Sequence, residues 1–341
     1  MFNRALSSED IRPSQFNLVQ KQLLLFDQSE LLKKSSEFIF VKCPACCSSE
    51  YVKVFEKYSF TYVKCAKCET VYINPRPTAD MLTEYYSSSQ RYAYWNSHIY
   101  PATERIRRER IEIPRVNKII EVCNELNLTC DNILEVGPGF GIFAEEMKKM
   151  SQCKEVVLIE PNKALADTCI RRGLTVVNNA IENAVLCEDS YDIVVAFEVF
   201  EHLFSQMDFL RKVHLCLRKN GIVVFTCPNI KGFDIQMLGS EADVIDNENL
   251  SYFHPESIRE LFSLCGFVIL ELLTPGKLDA DHVRGKILEN KLDITNQVWL
   301  NEVLIKSWHK VGANFQEFLS ENLMSSHMWI IAQKKDDDNK G

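Results

Sequence analysis

No run of apolar residues in this 341-residue chain approaches the ~18 that a membrane span needs. The opening stretch, MFNRALSSEDIRPSQ, has no apolar core of the kind a secretory signal requires. Positive charge is not in excess either: 39 Lys and Arg stand against 47 Asp and Glu, a formal net charge of −8. A dedicated nucleic-acid binder wants a basic surface, so that class is disfavoured. There is no internal repeat. These absences predict a cytoplasmic protein without a membrane span, acting on a small molecule, and they leave its oligomeric state open. With 46% hydrophobic and 25% charged residues, the chain suits one large domain plus a small one.

Cysteine, by contrast, is plentiful, with 13 in the chain. Most lie singly in apolar patterns, among them Cys123, Cys169, Cys216 and Cys227, and read as small buried hydrophobes in a reducing compartment. Cys43-x2-Cys46 and Cys65-x2-Cys68 are different: two knuckles, 18 residues apart, that let four thiolates close a tetrahedron around zinc. A site without an open position predicts a structural metal. Its binding would supply the folding free energy of a module with little core of its own. Cys47 reads as a bystander able to compete with Cys46.

The rest of the chain divides by pattern. Residues 1–42 are polar with short apolar clusters and predict an N-terminal helical arm, its helix near Leu18 to Lys34. Residues 43–77 form the zinc-ribbon module and end at Asn74-Pro75-Arg76-Pro77, which stops regular structure. Residues 78–129 predict an aromatic-rich helical lid or linker, carrying Tyr85, Tyr86, Tyr92, Tyr94 and Trp95. The basic run RIRRER within it, Arg105 to Arg110, reads as a solvated helix face. Residues 130–335 alternate strands (133–136, 156–160, 174–177, 191–197, 222–226) with helices, one of them over 206–219. Near-continuous apolar strands between helices predict an α/β fold: a parallel sheet covered on both faces. After Thr226 the rhythm breaks, with a helix at 255–267, a strand at 267–273, a helix through Leu304 to Leu319 and a last strand at 327–333. Residues 336–341 predict a solvated tail.

The first of these strands runs into a glycine-rich turn, Glu135-Val-Gly137-Pro-Gly139-Phe-Gly141. A dinucleotide fingerprint wants G-x-G-x-x-G, and its third glycine falls where this chain has Ile142. Glu135 discriminates further. A carboxylate repels a pyrophosphate but attracts the ammonium and sulfonium of S-adenosylmethionine (SAM). Glu160, ending the second strand, can take both ribose hydroxyls of either cofactor.

Taken together, EVGPGFG, IEPN at the second strand, NNAIEN after the third, YDIVVAFEVFEHL at the fourth and LRKNGIVVFTCPN at the fifth resemble the class I SAM-dependent methyltransferases. The resemblance covers roughly residues 130–335. It implies a doubly wound, mostly parallel, Rossmann-like sheet of seven strands with an antiparallel last strand. It also implies that Glu135, Gly137, Pro138, Gly139 and Gly141 hold the methionine part of SAM. Glu160 and Pro161 would lie at the ribose, Ala180 and Ile181 against adenine, and Phe197 and Glu198 at the floor. The cysteine module, NPRP and the tyrosine-rich segment add a resemblance to bacterial methyltransferases of sugars and surface-polysaccharide precursors, the zinc-module sugar C-methyltransferases among them. Where those carry a His-Glu-His-Phe-Ser-Tyr-Phe-like stretch, this chain reads Asn247 to Phe253, with Asn249 at the position of the base. An amide cannot act as a general base, so O- or N-methylation is favoured over C-methylation.

For the chemistry, Glu198-x-x-Glu201-His202 lies at the carboxyl end of the fourth strand, where open α/β sheets bind ligands. His202 is the candidate base, with Glu201 orienting it or acidifying its surroundings. The same three residues offer a rarer alternative, a divalent cation with His254 as a fourth ligand, since ubiquinone-type and small-RNA 2'-O-methyltransferases resemble this stretch and use a metal there. Two further readings compete: a zinc ribbon that binds RNA or protein, fused to an inactive methyltransferase fold, and an NAD(P)-dependent sugar-modifying enzyme.

Overall fold

In the computed structural model, which describes residues 7–335, the cysteine module is built on a small antiparallel sheet. The tail expected at 336–341 lies outside the described residues. Strands β1 (Tyr51–Lys57) and β2 (Phe60–Cys65) are joined by Tyr58 and Ser59, both at positive φ (52° and 65°), the geometry of a tight hairpin turn. Strand β3 (Val71–Ile73) pairs with β2 on its other side.

The alternating apolar segments form one seven-stranded sheet. Its parallel strands are β4 (Asn132–Val136), β5 (Glu155–Ile159), β6 (Thr175–Val177), β7 (Tyr191–Phe197) and β8 (Leu217–Pro228). A two-residue strand β9 (Ser251–Tyr252) follows, then β10 (Phe267–Leu273) and β11 (His327–Lys334). The order is β10-β11-β8-β7-β4-β5-β6, with β11 antiparallel to both neighbours. The α/β expectation with an antiparallel last strand therefore holds. Alternation along the strands sends Leu134, Val136, Val194 and Ala196 to one face, against the helices Gln206–Cys216 and Pro255–Leu264. Ile133, Ile193 and Val195 point to the other, against Ile113–Leu126 and Ile142–Ser151.

Strand β9 does not join the large sheet. Val71 pairs with Tyr252 and Tyr72 with Ser251, so the cysteine module's sheet takes its fourth strand from far along the chain. Arg76 of the NPRP segment fixes the same junction. It is 1% exposed and donates to the carbonyls of Ile73, Phe204 and Leu250 and to the Ser251 hydroxyl.

The aromatic segment is helical from Ala79 to Ser88 and then continuously from Gln90 to Leu126. Two turns of the long helix widen to π geometry, Trp95–Ile99 and Arg108–Glu112. Pro101 and Pro114 follow them closely, within the first turns of the next α-helical stretches. A proline lacks the N–H that closes the ladder, and a widened turn absorbs the missing bond without breaking the helix. The N-terminal helix, Asn17–Leu32, packs beneath and supplies a cap: Asp27 accepts from the Ser89 hydroxyl and from the N–H groups of Gln90 and Arg91.

Two expectations need correction. The helix begun at Gln206 ends at Cys216, not Lys219; Leu217 already pairs with Tyr191, and Asn220 makes the turn at φ 61°. RIRRER is a solvated face only in part, at the exposed Arg105 and Glu109. Arg107 lies over the rings of Trp95 and Tyr100, and Arg108 joins Glu104, Glu145 and Glu146 in an ion network that Arg172 shares. The segment between β10 and β11 is a helical insert, including Asp279–Leu288 and Trp308–Glu321, built around Ala280, Val283, Leu304 and Leu319.

Candidate active site

At the carboxyl ends of β4, β5 and β7 the long helix arches over a cavity of about 750 Å³. The glycine turn forms one wall. Gly137, Gly139 and Gly141 all take positive φ, 68°, 55° and 76°, which side chains resist. A Cβ on Gly139 would stand 2.7 Å from the Tyr100 hydroxyl, so the close approach of the lid requires glycine there. Gly137, Pro138 and Gly139 line the cavity, as do Glu160, Pro161, Ala180, Ile181, Phe197 and Glu198. Gly141 does not; it starts the helix Ile142–Ser151 and backs onto Leu174 and Cys169.

Two acids inside the cavity are buried without a matching cation. Glu135 is 3% exposed, and its Oε2 has no hydrogen-bond partner among the described residues. Burial and the neighbouring Glu112 push its carboxyl well above the ordinary range, against a weaker pull from Arg115. Glu160 accepts from the Asn162 N–H at 2.8 Å, yet burial still lifts it to about 8. An orphaned acceptor at the glycine turn is what a ligand's ammonium would satisfy, so the residues present fit SAM. Phe197 lines the cavity, with the Arg115 guanidinium 4.3 Å from its ring centroid and Trp329 stacked at 5.9 Å. Neither Arg115, Trp329 nor Glu112 stands in a motif that the sequence displays.

The other half of the cavity is lined by His202 and Glu201. His202 Nδ1 lies 2.8 Å from the carbonyl oxygen of Glu248. A carbonyl only accepts, so Nδ1 carries a proton, and in the neutral ring Nε2 is then the nitrogen with the lone pair. Glu201, expected to orient this ring, does not. Its Oε2 is buried and unpartnered, and burial plus the nearby Glu198 raise its carboxyl strongly. The orienting group is the main chain of Glu248, which nothing in the sequence around His202 announces. Tyr86 lies 6.1 Å from the imidazole, centroid to centroid, and lines the cavity with Tyr92 and Trp95. Asn249 also lines it, its amide donating to the Val244 carbonyl at 2.7 Å.

Among the described residues, Glu198, Glu201, His202 and His254 do not converge as donors for a divalent cation. Glu198 accepts from the Thr226 hydroxyl at 2.7 Å and faces His327, while both ring nitrogens of His254 are engaged elsewhere, at Glu256 and at the Cys68 carbonyl. Among the described residues, the side chains that cluster as metal ligands are Cys43, Cys46, Cys65 and Cys68, whose sulfurs all lie within 4.8 Å of one another. The closest approaches are 3.5 Å (Cys43–Cys68) and 3.6 Å (Cys46–Cys65), spacings that suit a tetrahedral thiolate site. Cys47 points away, toward Met207.

Residues 103–272 match the family model described as a methyltransferase domain. The chain thus carries a class I SAM-dependent methyltransferase domain and is an enzyme, and the NAD(P) and inactive-domain readings are withdrawn. No curated protein sequence matches it. Among solved structures, phosphoethanolamine N-methyltransferase 2 of Haemonchus contortus, in complex with phosphomonomethylethanolamine and S-adenosylhomocysteine, aligns with 15% identity and a TM-score of 0.43, covering 61% of this chain and 50% of that one. An S-adenosylmethionine dependent methyltransferase from Mesorhizobium loti aligns with 13% identity and a TM-score of 0.40, covering 60% and 93%. Likenesses this loose carry nothing about the acceptor. No helix among the described residues is long and apolar enough to cross a membrane.

Proposed function

We propose that the protein methylates an oxygen or nitrogen of a small polar acceptor, a sugar, nucleotide-sugar or polysaccharide precursor, with His202 as the general base. One observation carries this reading: the Nδ1 bond of His202 leaves Nε2 as the lone-pair nitrogen of the neutral ring, in the same cavity as the orphaned Glu135 oxygen and the buried Glu160. SAM, when bound, supplies the methyl group on a sulfonium that leaves as a neutral thioether. Glu135 holds its ammonium, Glu160 accepts from the ribose hydroxyls, Ala180 and Ile181 pack on adenine, and Phe197 with Glu198 forms the floor. His202 takes the acceptor's proton at Nε2, leaving an imidazolium stabilised by the Glu248 carbonyl. The rings of Tyr86, Tyr92 and Trp95 give a sugar an apolar face to stack on and exclude water. Asn249, an amide, fits proton transfer at oxygen or nitrogen better than carbanion formation at carbon. The four thiols bind one structural zinc.

The test is incubation with SAM and a panel of free sugars, amino sugars and nucleotide-sugars, following S-adenosylhomocysteine and product mass. The wild type is expected to methylate members of the panel, and H202A to lose about 10²- to 10⁴-fold in rate. Full turnover by H202A would end its role as base.

A further inference from the structure

We propose that Glu248 and Arg91 are positioning residues that tie the docking of the aromatic lid to the orientation and tautomer of His202. The inference rests on the reading of His202 as the base. Glu248 stands where two parts of the molecule meet. Its side chain, 4% exposed, belongs to the lid: it pairs with the Arg91 guanidinium and accepts from the Tyr85 hydroxyl at 2.9 Å. Its main-chain carbonyl belongs to the base, accepting from His202 Nδ1 at 2.8 Å, with the Tyr86 hydroxyl 3.4 Å away. One residue therefore grips the first turns of the lid with its carboxylate and the imidazole with its peptide.

The rest of the segment is anchored from below. Asp246 accepts from the Glu248 and Asn249 N–H groups, each at 3.1 Å, and the Asp246 carbonyl accepts from the Tyr62 hydroxyl of the cysteine module at 2.8 Å. Asp246 thus holds the N–H of the peptide whose carbonyl meets the histidine, and the grip of the lid on the Glu248 carboxylate is the second hold that fixes where that carbonyl points. A buried ion pair does this well, because removing one partner leaves the other charged, buried and unpaired. Lid docking and base readiness become one event: with Arg91 seated, Nδ1 is committed to the carbonyl and Nε2 faces the acceptor as a lone pair. With the lid released, the ring is free to adopt the opposite tautomer, which has a proton where the base must be bare.

The readout is the tautomer itself, which needs no acceptor. Protein labelled with ¹⁵N in its histidine rings gives long-range ¹⁵N–¹H spectra that separate Nδ1–H from Nε2–H, and H202N assigns the His202 signal. The wild type is expected to show His202 protonated at Nδ1. R91A and E248Q should move it toward Nε2–H or into exchange between the two, while SAM affinity by calorimetry stays within about 2-fold. R91K, which keeps the charge, should retain part of the wild-type signal. Should R91A not fold, R91K and Tyr85→Phe, each milder, must shift the signal in the same direction. An Nε2–H tautomer in the wild type would overturn the proposal, and so would variants whose His202 signal matches the wild type's. The two readings can fail apart: full turnover by H202A ends the base whatever the spectra show, and an unshifted signal ends the coupling even if H202A is inactive.

Discussion

At the scale of single residues, the cofactor end of the cavity is defined by carboxylates that lack a cation. Glu135 is the sharpest case. Its orphaned oxygen gains a charge-assisted hydrogen bond only when an ammonium arrives, an interaction worth about 1.5–3 kcal/mol. E135Q keeps the shape and removes the charge, so calorimetry should show SAM binding weakened roughly 10- to 150-fold. Unchanged affinity would mean that the ammonium lies elsewhere. Glu160 makes a pH prediction. Its carboxyl sits near 8 in the fold against an ordinary 4.5. Between those values the folded protein holds a proton that the unfolded chain has lost. Ligand-free stability therefore falls as pH rises from about 4.5 to about 8 and levels above that. Melting temperatures across that window should fall in the wild type and fall less in E160Q; parallel curves would contradict the assignment.

Glu135 and Glu160 were legible in the sequence because a glycine turn and a strand end place their neighbours within a few residues. His202 was legible as a candidate, but what orients it was not. The carbonyl it uses belongs to a residue 46 positions away, and a main-chain oxygen leaves no mark in a sequence. Glu201, adjacent in the chain, was the natural guess, yet its side chain leaves the turn into a buried site beside Glu198.

At the scale of elements, the segment proposed as a lid is a short helix, Ala79–Ser88, followed by one long helix with two widened turns, and the start of the long helix is braced by another element. Asp27 of the N-terminal helix accepts three hydrogen bonds at Ser89 to Arg91, where the helix begins. D27A is expected to cost about 1–2 kcal/mol of stability, seen as a lower denaturant midpoint with an unchanged slope. No change would show that the arm does not hold the lid. Residue pattern announced both elements as helical, but tertiary capping has no local signal. The charge run RIRRER shows the same limit: a basic run suggests solvent, and only the packed neighbours Glu145, Glu146 and Arg172 draw Arg108 into a half-buried network.

At the scale of the whole molecule, the cysteine module and the methyltransferase domain share a sheet. Strand β9 joins them, Arg76 bonds across the junction, and His254 donates from Nε2 to the Cys68 carbonyl. Cys65→Ser with Cys68→Ser should reduce zinc, by elemental analysis, from one per chain to none. It should also lower the melting temperature of the whole protein in a single transition, because the module has no separate core to lose. Zinc retained in that variant would remove the ribbon assignment. Strand β9 was invisible in the sequence because two residues are too few to show alternation, and the seven-stranded sheet was visible because its inner strands β4, β7, β8 and β11 are buried on both faces over most of their length.

The central claim, methyl transfer to a sugar-like acceptor assisted by His202, is tested most directly by mass spectrometry of the sugar panel after incubation with SAM, wild type beside H202A. The account predicts a product heavier by one methyl group, formed together with S-adenosylhomocysteine, at a rate that falls by at least about 10² in H202A. A wild type that binds SAM but methylates no member of the panel would contradict the acceptor, and equal rates in the two proteins would contradict the base.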